Sequence, residues 1–454
     1  MREIVGTDGE FTMDEISSQI RNIIVQEFSS AIAKAQIPVL DMAANTAEVA
    51  AVVRAVADAG GAIVPVGGNT GLVGGTQARG EVMLSLERMS RIRTIKPDAR
   101  IAVVEAGVVL QSLHDVADAH DLIFPLTFGA KGSARIGGCL STNAGGSNVV
   151  RYGSTRGLCL GLEVVLASGE VLDMMTELHK DNSGYDLRDL FIGAEGTLGI
   201  ITAAVVKLFP KPVGYATALL SAPDLGAALK ILRAVQAASG GAVEAFEYMP
   251  RNFMQRLAQH RPDLTVPLKT GDCTIMVELG GPDMDAPLAE TLASLMEDGL
   301  VLDATLAASE AQRSTIWAIR EASAEIKFTQ LPIVDTDVCV PLEKVALFEA
   351  EVQARLAELD AEATDITVAH LGDGNFHYAV YPTRDDPAHL DAVRAVIDGV
   401  TVSLGGSISA EHGVGRSQLA TLARHKSPIA LAVMRQIKGA LDPGNVMNPG
   451  KVVP

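Results

Sequence analysis

Cationic side chains are in short supply. The 454-residue chain sets 37 Lys and Arg against 55 Asp and Glu, for a formal net charge of −18. A chain without a broad basic face is a poor partner for nucleic acid or anionic lipid, and both are excluded as main partners. Cysteine is equally scarce. Cys139, Cys159, Cys273 and Cys339 stand far apart with no C-x-x-C pair. That excludes zinc-ribbon and iron–sulfur ligation and reads as reduced core thiols. No run of about 18 apolar residues occurs, so no transmembrane segment is expected. Residues 1–14 carry acids and lack an apolar stretch, unlike a secretory leader or an Arg-rich transit peptide. The expected compartment is the cytoplasm.

What the chain does have is glycine, placed in clusters. The length suggests roughly three domains, and two large ones would fit. Residues 65–75 read PVGGNTGLVGG, with Gly67, Gly68, Gly71, Gly74 and Gly75 around Asn69 and Thr70. Glycine lets another group press against the main chain. A row of N–H groups in such a loop makes a nest for an anion, and the pyrophosphate of a dinucleotide is the matching cargo. The spacing excludes the Rossmann fingerprint, which needs G-x-G-x-x-G opening a helix, and no Lys-Ser/Thr completes a Walker loop. The bland alternative is a plain turn cluster.

The rest of the chain organises around that loop. Val49, Val52, Val53 and Val56 lie at helical spacing before Gly60-Gly61. Residues 62–66, 82–86 and 101–106 read as strands, and 111–120 as a helix. A second glycine-rich segment spans 129–157 and a third, FIGAEGTLG, spans 191–199. Between them, 160–166 and 170–172 form a hairpin around Ser168-Gly169. Three such loops suit a cofactor lying along a domain. Pro210 and Pro212 punctuate a boundary, 214–400 has an α+β pattern, 404–416 is loop again, and 427–441 is an amphipathic helix. The expected division is an extension over 1–37, a cofactor domain over 38–213, a substrate or cap domain over 214–403, and a C-terminal segment over 404–454 returning to the site.

One segment carries metal chemistry. In His370-Leu-Gly-Asp-Gly-Asn-Phe-His377, Asp373-Gly374 has the composition of a two-residue hairpin turn. Such a turn sets His370 opposite His377, close enough to share an ion. Glu411, in Ala410-Glu-His-Gly413, offers a third ligand, while His412 points elsewhere because successive side chains in extended chain diverge. A His₂Glu set with an open position is that of a catalytic zinc site; manganese and iron accept similar donors. The plainer readings are a cross-strand histidine pair and a solvated loop pair.

Together PVGGNTGLVGG, GGCLSTNAGG…RYG, FIGAEGTLGI, HLGDGNFH, SAEHGVG and LDPGNVMNPGK resemble the FAD-linked 2-hydroxy-acid dehydrogenases of the vanillyl-alcohol oxidase / p-cresol methylhydroxylase superfamily. The motifs run in family order over about residues 38–454. The resemblance implies an α+β protein: a two-part FAD-binding domain of the p-cresol methylhydroxylase type, an antiparallel-sheet cap and a C-terminal helical segment. It implies FAD contacts from Gly67, Gly68, Asn69, Thr70, Gly71, Leu72 and Gly74. Further contacts are implied from Gly132, Ser133, Gly137, Gly138, Thr142, Asn143, Gly145, Gly146, Tyr152 and Gly153, from Glu195, Gly196, Gly199 and Ile200, and from Asn448. It implies a divalent metal, in the first instance zinc, on His370, His377 and Glu411. His412 is then the catalytic base and Arg320 the grip on the substrate carboxylate. With no His or Cys in 65–75, non-covalent FAD is expected.

The implied reaction is oxidation of a D-2-hydroxy acid such as 2-hydroxyglutarate, lactate or malate. Electrons then pass to an acceptor such as electron-transfer flavoprotein or a quinone, and a homodimer is compatible with this. Two rivals stand beside it: a flavin subunit of a glycolate-oxidase-like complex, and a non-catalytic FAD scaffold. Arg320 also has a plain alternative, pairing with Glu321 or Glu325 on its own helix. Three positions depart from the relatives that act on 2-hydroxyglutarate. Ala324, Asp335 and Ala379 stand where those resemble Thr, Lys and Asn. An acid in place of a Lys weakens a second-carboxylate site, so 2-hydroxyglutarate is not expected to dominate.

Overall fold

The computed structural model describes residues 39–40, 43–269 and 271–454; the expected extension at 1–37 lies outside them. The first described helix, Thr46–Asp58, starts where the Asn45 side chain accepts from Glu48 N while Glu48 reaches back to Ala44 N. The first bond satisfies an amide that the first turn leaves free, and the second ties down the residue before the cap. The helix buries Val49, Val52, Val53 and Val56, and Gly60 in the left-handed region ends it. Its apolar face covers a parallel three-stranded sheet in the order Val39–Leu40, Val82–Ser85, Ile63–Val66. The chain's end returns here: Ile63 N donates to Val446 O, and Asn448 N to Ile63 O.

An antiparallel five-stranded sheet follows, ordered Ile92–Lys96, Ile101–Glu105, Ile200–Lys207, Cys159–Val165, Val171–Met174. The expected hairpin around Ser168-Gly169 joins its last two strands. The second glycine segment, by its composition, is expected to be loop. It instead contains a helix, Ile136–Thr142, whose apolar Ile136, Cys139 and Leu140 are buried. Helical spacing of those three residues outweighs the low helix propensity of Gly137 and Gly138.

The largest sheet has seven antiparallel strands: Asp303–Leu306, Tyr215–Ala222, Cys273–Gly280, Val243–Pro250, Thr364–His370, Asn375–Tyr381, Val334–Cys339. Side chains alternate across it. Ala369, Leu371, Phe376, Tyr378 and Val380 pack under helices Leu225–Ala238, Asp285–Glu297, Val345–Leu359 and Pro387–Ser403. Ile366, Val368, Ala379 and Tyr381 face the other way, under Arg251–His260, Glu310–Glu321 and Ser323–Lys327. This second face carries the polar residues described next. Among the described residues, no helix is long and apolar enough to cross a membrane.

Candidate active site

A cavity of about 540 Å³ lies between the glycine loops and the second face of the seven-stranded sheet. Gly68 shows how tightly its wall is built: a Cβ there would lie 2.1 Å from Ser133 O, so only glycine lets the first loop rest on the second segment. Gly71 and Gly138 line the cavity and present open space where a side chain would be. A bare backbone cradle of this kind fits a dinucleotide phosphate.

The structure brings most of the expected cofactor residues to this wall. Gly67, Gly68, Asn69, Thr70, Gly71 and Leu72 line it, with Gly137, Gly138, Thr142, Gly145, Gly146, Glu195, Gly196, Gly199 and Ile200. Others stand behind it. The Asn143 side chain accepts from Arg156 N, and Tyr152 Oη donates to Glu244. Gly74, Gly132, Ser133 and Gly153 are also off the wall. Asn448 is buried, and its amide donates to both Gly75 O and Glu195 O, joining the first and third glycine loops. The Glu195 carboxylate accepts from Val414 N and Gly415 N at 2.7 and 2.9 Å.

On the sheet, register sets polar residues in rows. Cys339, Asn375, His370 and Glu247 stand abreast on four adjacent strands. Asp337, His377 and Val368 form the next row, and Asp335, Ala379 and Ile366 the third. The Asp373-Gly374 turn differs from expectation. His370 pairs with Asn375, leaving residues 371–374 as a four-residue connection, and His377 pairs with Val368. Amides of Asp373 and Gly374 both turn back to His370 O, closing a wider turn than the two-residue kind. The slip is two residues, an even number, so both imidazoles keep the same face. They meet diagonally, with ring centroids 5.3 Å apart.

Glu411 and His412 reach this stripe from the loop before helix Leu419–His425. Glu411 Oε2 lies 3.9 Å from His370 Nε2 and 3.7 Å from His377 Nε2. His412 stacks on His377 at 5.5 Å. Two acids that sequence reading missed hold the arrangement. Glu247 accepts from His370 Nδ1 at 2.8 Å and from Arg320 Nε at 2.6 Å. Arg320 therefore pairs with Glu247 across the fold, not with Glu321 or Glu325; it is buried yet lines the cavity. Asp337 Oδ2 accepts the backbone amides of Ala410, Glu411 and His412, while Oδ1 accepts from Asn375. Asp337, His377, Glu411 and His412 each offer an atom within 4.8 Å of the others.

The electrostatics follow from burial. Burial pushes the Glu411 carboxyl up to about 7 against the pull of His370. Burial also raises Glu247, but His370 and Arg320 outweigh it and hold that carboxyl down at about 2. His370 loses to burial but gains more from Glu247, and rises to about 9. His377 is driven well below its usual value, chiefly by burial. Asp337 is lowered: burial opposes its charge, and His412, His377 and the loop amides overcome it.

At the third row, Asp335 is not a free acid. Lys327 Nζ donates to its Oδ2 at 2.7 Å, and Lys327 rather than Asp335 lines the cavity, beside Ala324 and Phe253.

Family comparison agrees with this construction. The FAD binding domain model matches residues 38–175, and the FAD linked oxidases, C-terminal domain model matches 211–452. A third model, SPFH domain-Band 7 family, matches 1–64, most of which lies outside the described residues. Similar solved structures include p-cresol methylhydroxylase with substrate bound (TM-score 0.72, 16% identical, 96% of each chain covered). Another is 4-ethylphenol oxidase from Gulosibacter chungangensis in its isoeugenol complex (TM-score 0.69, 21% identical, 91% of this chain and 88% of that one). These show the fold: the α+β arrangement of p-cresol methylhydroxylase-type flavoproteins. The chain belongs to the FAD-linked oxidases, and FAD is its cofactor.

Sequence relatives narrow the class. The chain is 38% identical over 414 residues to the mitochondrial D-2-hydroxyglutarate dehydrogenase of Bos taurus, covering 90% of this chain and 76% of that one. It is 36% identical over 413 residues to the D-2-hydroxyglutarate dehydrogenase of Xanthomonas citri pv. viticola, covering 89% and 87%. Within the family it is an FAD-dependent D-2-hydroxy-acid dehydrogenase.

Proposed function

We propose that the enzyme converts a D-2-hydroxy acid to its 2-oxo acid with help from a divalent cation, with zinc as the first choice. One observation carries the metal: Oε2 of Glu411 lies 3.7 Å from Nε2 of His377 and 3.9 Å from Nε2 of His370, too far for hydrogen bonds. Ligands each about 2.0–2.2 Å from one tetrahedral ion stand at comparable separations. A half-buried Glu411 carboxyl pushed up to about 7 has the environment a cation would relieve. Asp337 is the competing donor, but its two oxygens already accept four hydrogen bonds. The Glu247 bond occupies Nδ1 of His370, so Nε2 is the ring atom left to a cation, which would displace its proton; a hydrogen bond at the other nitrogen is the usual support of a metal-bound imidazole.

A cation on these three side chains would supply Lewis acidity to the substrate hydroxyl. FAD, when bound, supplies the acceptor for the hydride at C2. The protein's own residues do the rest. The 67–75 loop, with 137–146 and 195–200, would hold the dinucleotide without a covalent link. Arg320 would grip the carboxylate with the donors not given to Glu247. His412, on the cavity wall with Asp337 3.8 Å from Nδ1, would take the hydroxyl proton. The chain divides for this purpose into 38–213, 214–403 and 404–454. Electron-transfer flavoprotein or a quinone would re-oxidise the flavin.

The test is a panel of D- and L-2-hydroxy acids with a dye acceptor, using the purified chain alone. Turnover of D acids without a partner is expected, and D acids that leave the flavin oxidised would refute the assignment. His412→Ala should lower kcat by about 10²–10⁴ with flavin retained. Near-normal turnover in that variant would remove His412 as base.

A further inference from the structure

We infer that Lys327 recognises the far end of the substrate, and that this end bears a second carboxylate. The inference rests on the D-2-hydroxy-acid reading above. Its starting point is the third row of the sheet, Asp335, Ala379 and Ile366, one two-residue step beyond the row of Asp337 and His377. Two residues of strand span about 6.6 Å. The distance from C2 to the end of a five-carbon acid falls within that step.

The helix Ser323–Lys327 roofs this end of the cavity. Arg320 and Lys327 sit seven residues apart on consecutive helical segments and both face the same space. Lys327 Nζ meets Asp335 Oδ2 at 2.7 Å, and the Lys327 side chain is 14% exposed. An ammonium has three donors, and Asp335 accepts one. Lys327 lines the cavity and Asp335 does not. An anion entering from the cavity therefore meets Lys327 first, with Asp335 farther away. Attraction wins because Coulomb energy falls with distance, but Asp335 damps it. Ala324 contributes only a methyl to the same wall, leaving room for a tail.

Lys327 thus restores a cation that Asp335, read from sequence, had removed. The plain alternative is an ion pair that only ties the helix to the sheet. Such a pair would change thermal stability without changing substrate preference.

The experiment measures kcat/KM for D-2-hydroxyglutarate and D-lactate on the flavin-loaded full chain and takes their ratio. Lys327→Met should lower the ratio about tenfold or more, mainly through KM for the diacid. Asp335→Asn should raise it by freeing the ammonium, and Lys327→Arg should keep it within a few-fold of the parent. If Lys327→Met loses flavin, Asp335→Asn and Lys327→Arg decide. A ratio that stays within twofold in Lys327→Met, or that fails to rise in Asp335→Asn, overturns the inference. Loss of all D-acid turnover by the parent enzyme would instead overturn the functional reading, and this inference with it.

Discussion

At the scale of single residues, the site depends on two acids that touch histidines and loop amides. Asp337 takes three backbone N–H groups from 410–412. Each buried donor left unpaired costs about 1–3 kcal/mol, so Asp337→Ala should lower Tm by several degrees and release Glu411 and His412 together. We expect kcat to fall at least as far as in His412→Ala; full activity with an unchanged melt would show that the loop holds itself. Glu247→Gln tests the outer shell of His370. It should weaken metal affinity about 10–100-fold, measured by chelator competition, while an unchanged affinity would detach Glu247 from the metal. Neither acid was legible in the sequence. Glu247 is 123 positions from His370, and Asp337 is 73–75 from the amides it binds. Only the folded sheet register joins them. His370, His377, Glu411 and Arg320 were legible because their neighbours form local, recognisable strings.

At the scale of elements, loops from distant parts of the chain are pinned to one another. Glu195 accepts from Val414 and Gly415, and Asn448 links Gly75 to Glu195. Glu195→Gln keeps one acceptor but turns a donor toward an N–H. We expect lower thermal stability and faster flavin loss on dilution, read by flavin fluorescence; unaltered flavin retention would mean the strap does not matter to the cofactor. Glycine loops were readable because turn chemistry is local. The helix Ile136–Thr142 was not, since glycine content masked its apolar spacing. The hairpin was placed correctly but its register missed by two residues, because Asp-Gly also fits a longer turn.

At the scale of the whole molecule, the seven-stranded sheet carries the polar stripe on one face and packs on the other against helix Val345–Leu359, which bears the half-buried Glu349. Tyr248 Oη donates to Glu349 at 2.9 Å, and burial pushes the Glu349 carboxyl up to about 7 from 4.5. A raised folded-state pKa means folding favours the protonated form. Its contribution is full below pH 4.5 and is lost as pH rises through about 7. Glu349→Gln should therefore gain several degrees of Tm over the parent at pH 8 and little at pH 4.5, and equal gains at both would contradict this assignment. The overall architecture was legible as an order of motifs, but the joining of the flavin half to the polar stripe needed the tertiary structure. That junction is the central claim, and anaerobic bleaching of the flavin by a D-2-hydroxy acid tests it most directly. The account predicts bleaching by the metal-loaded enzyme, its disappearance on chelation with FAD still bound, and its return with zinc. Undiminished bleaching after complete metal removal would contradict it.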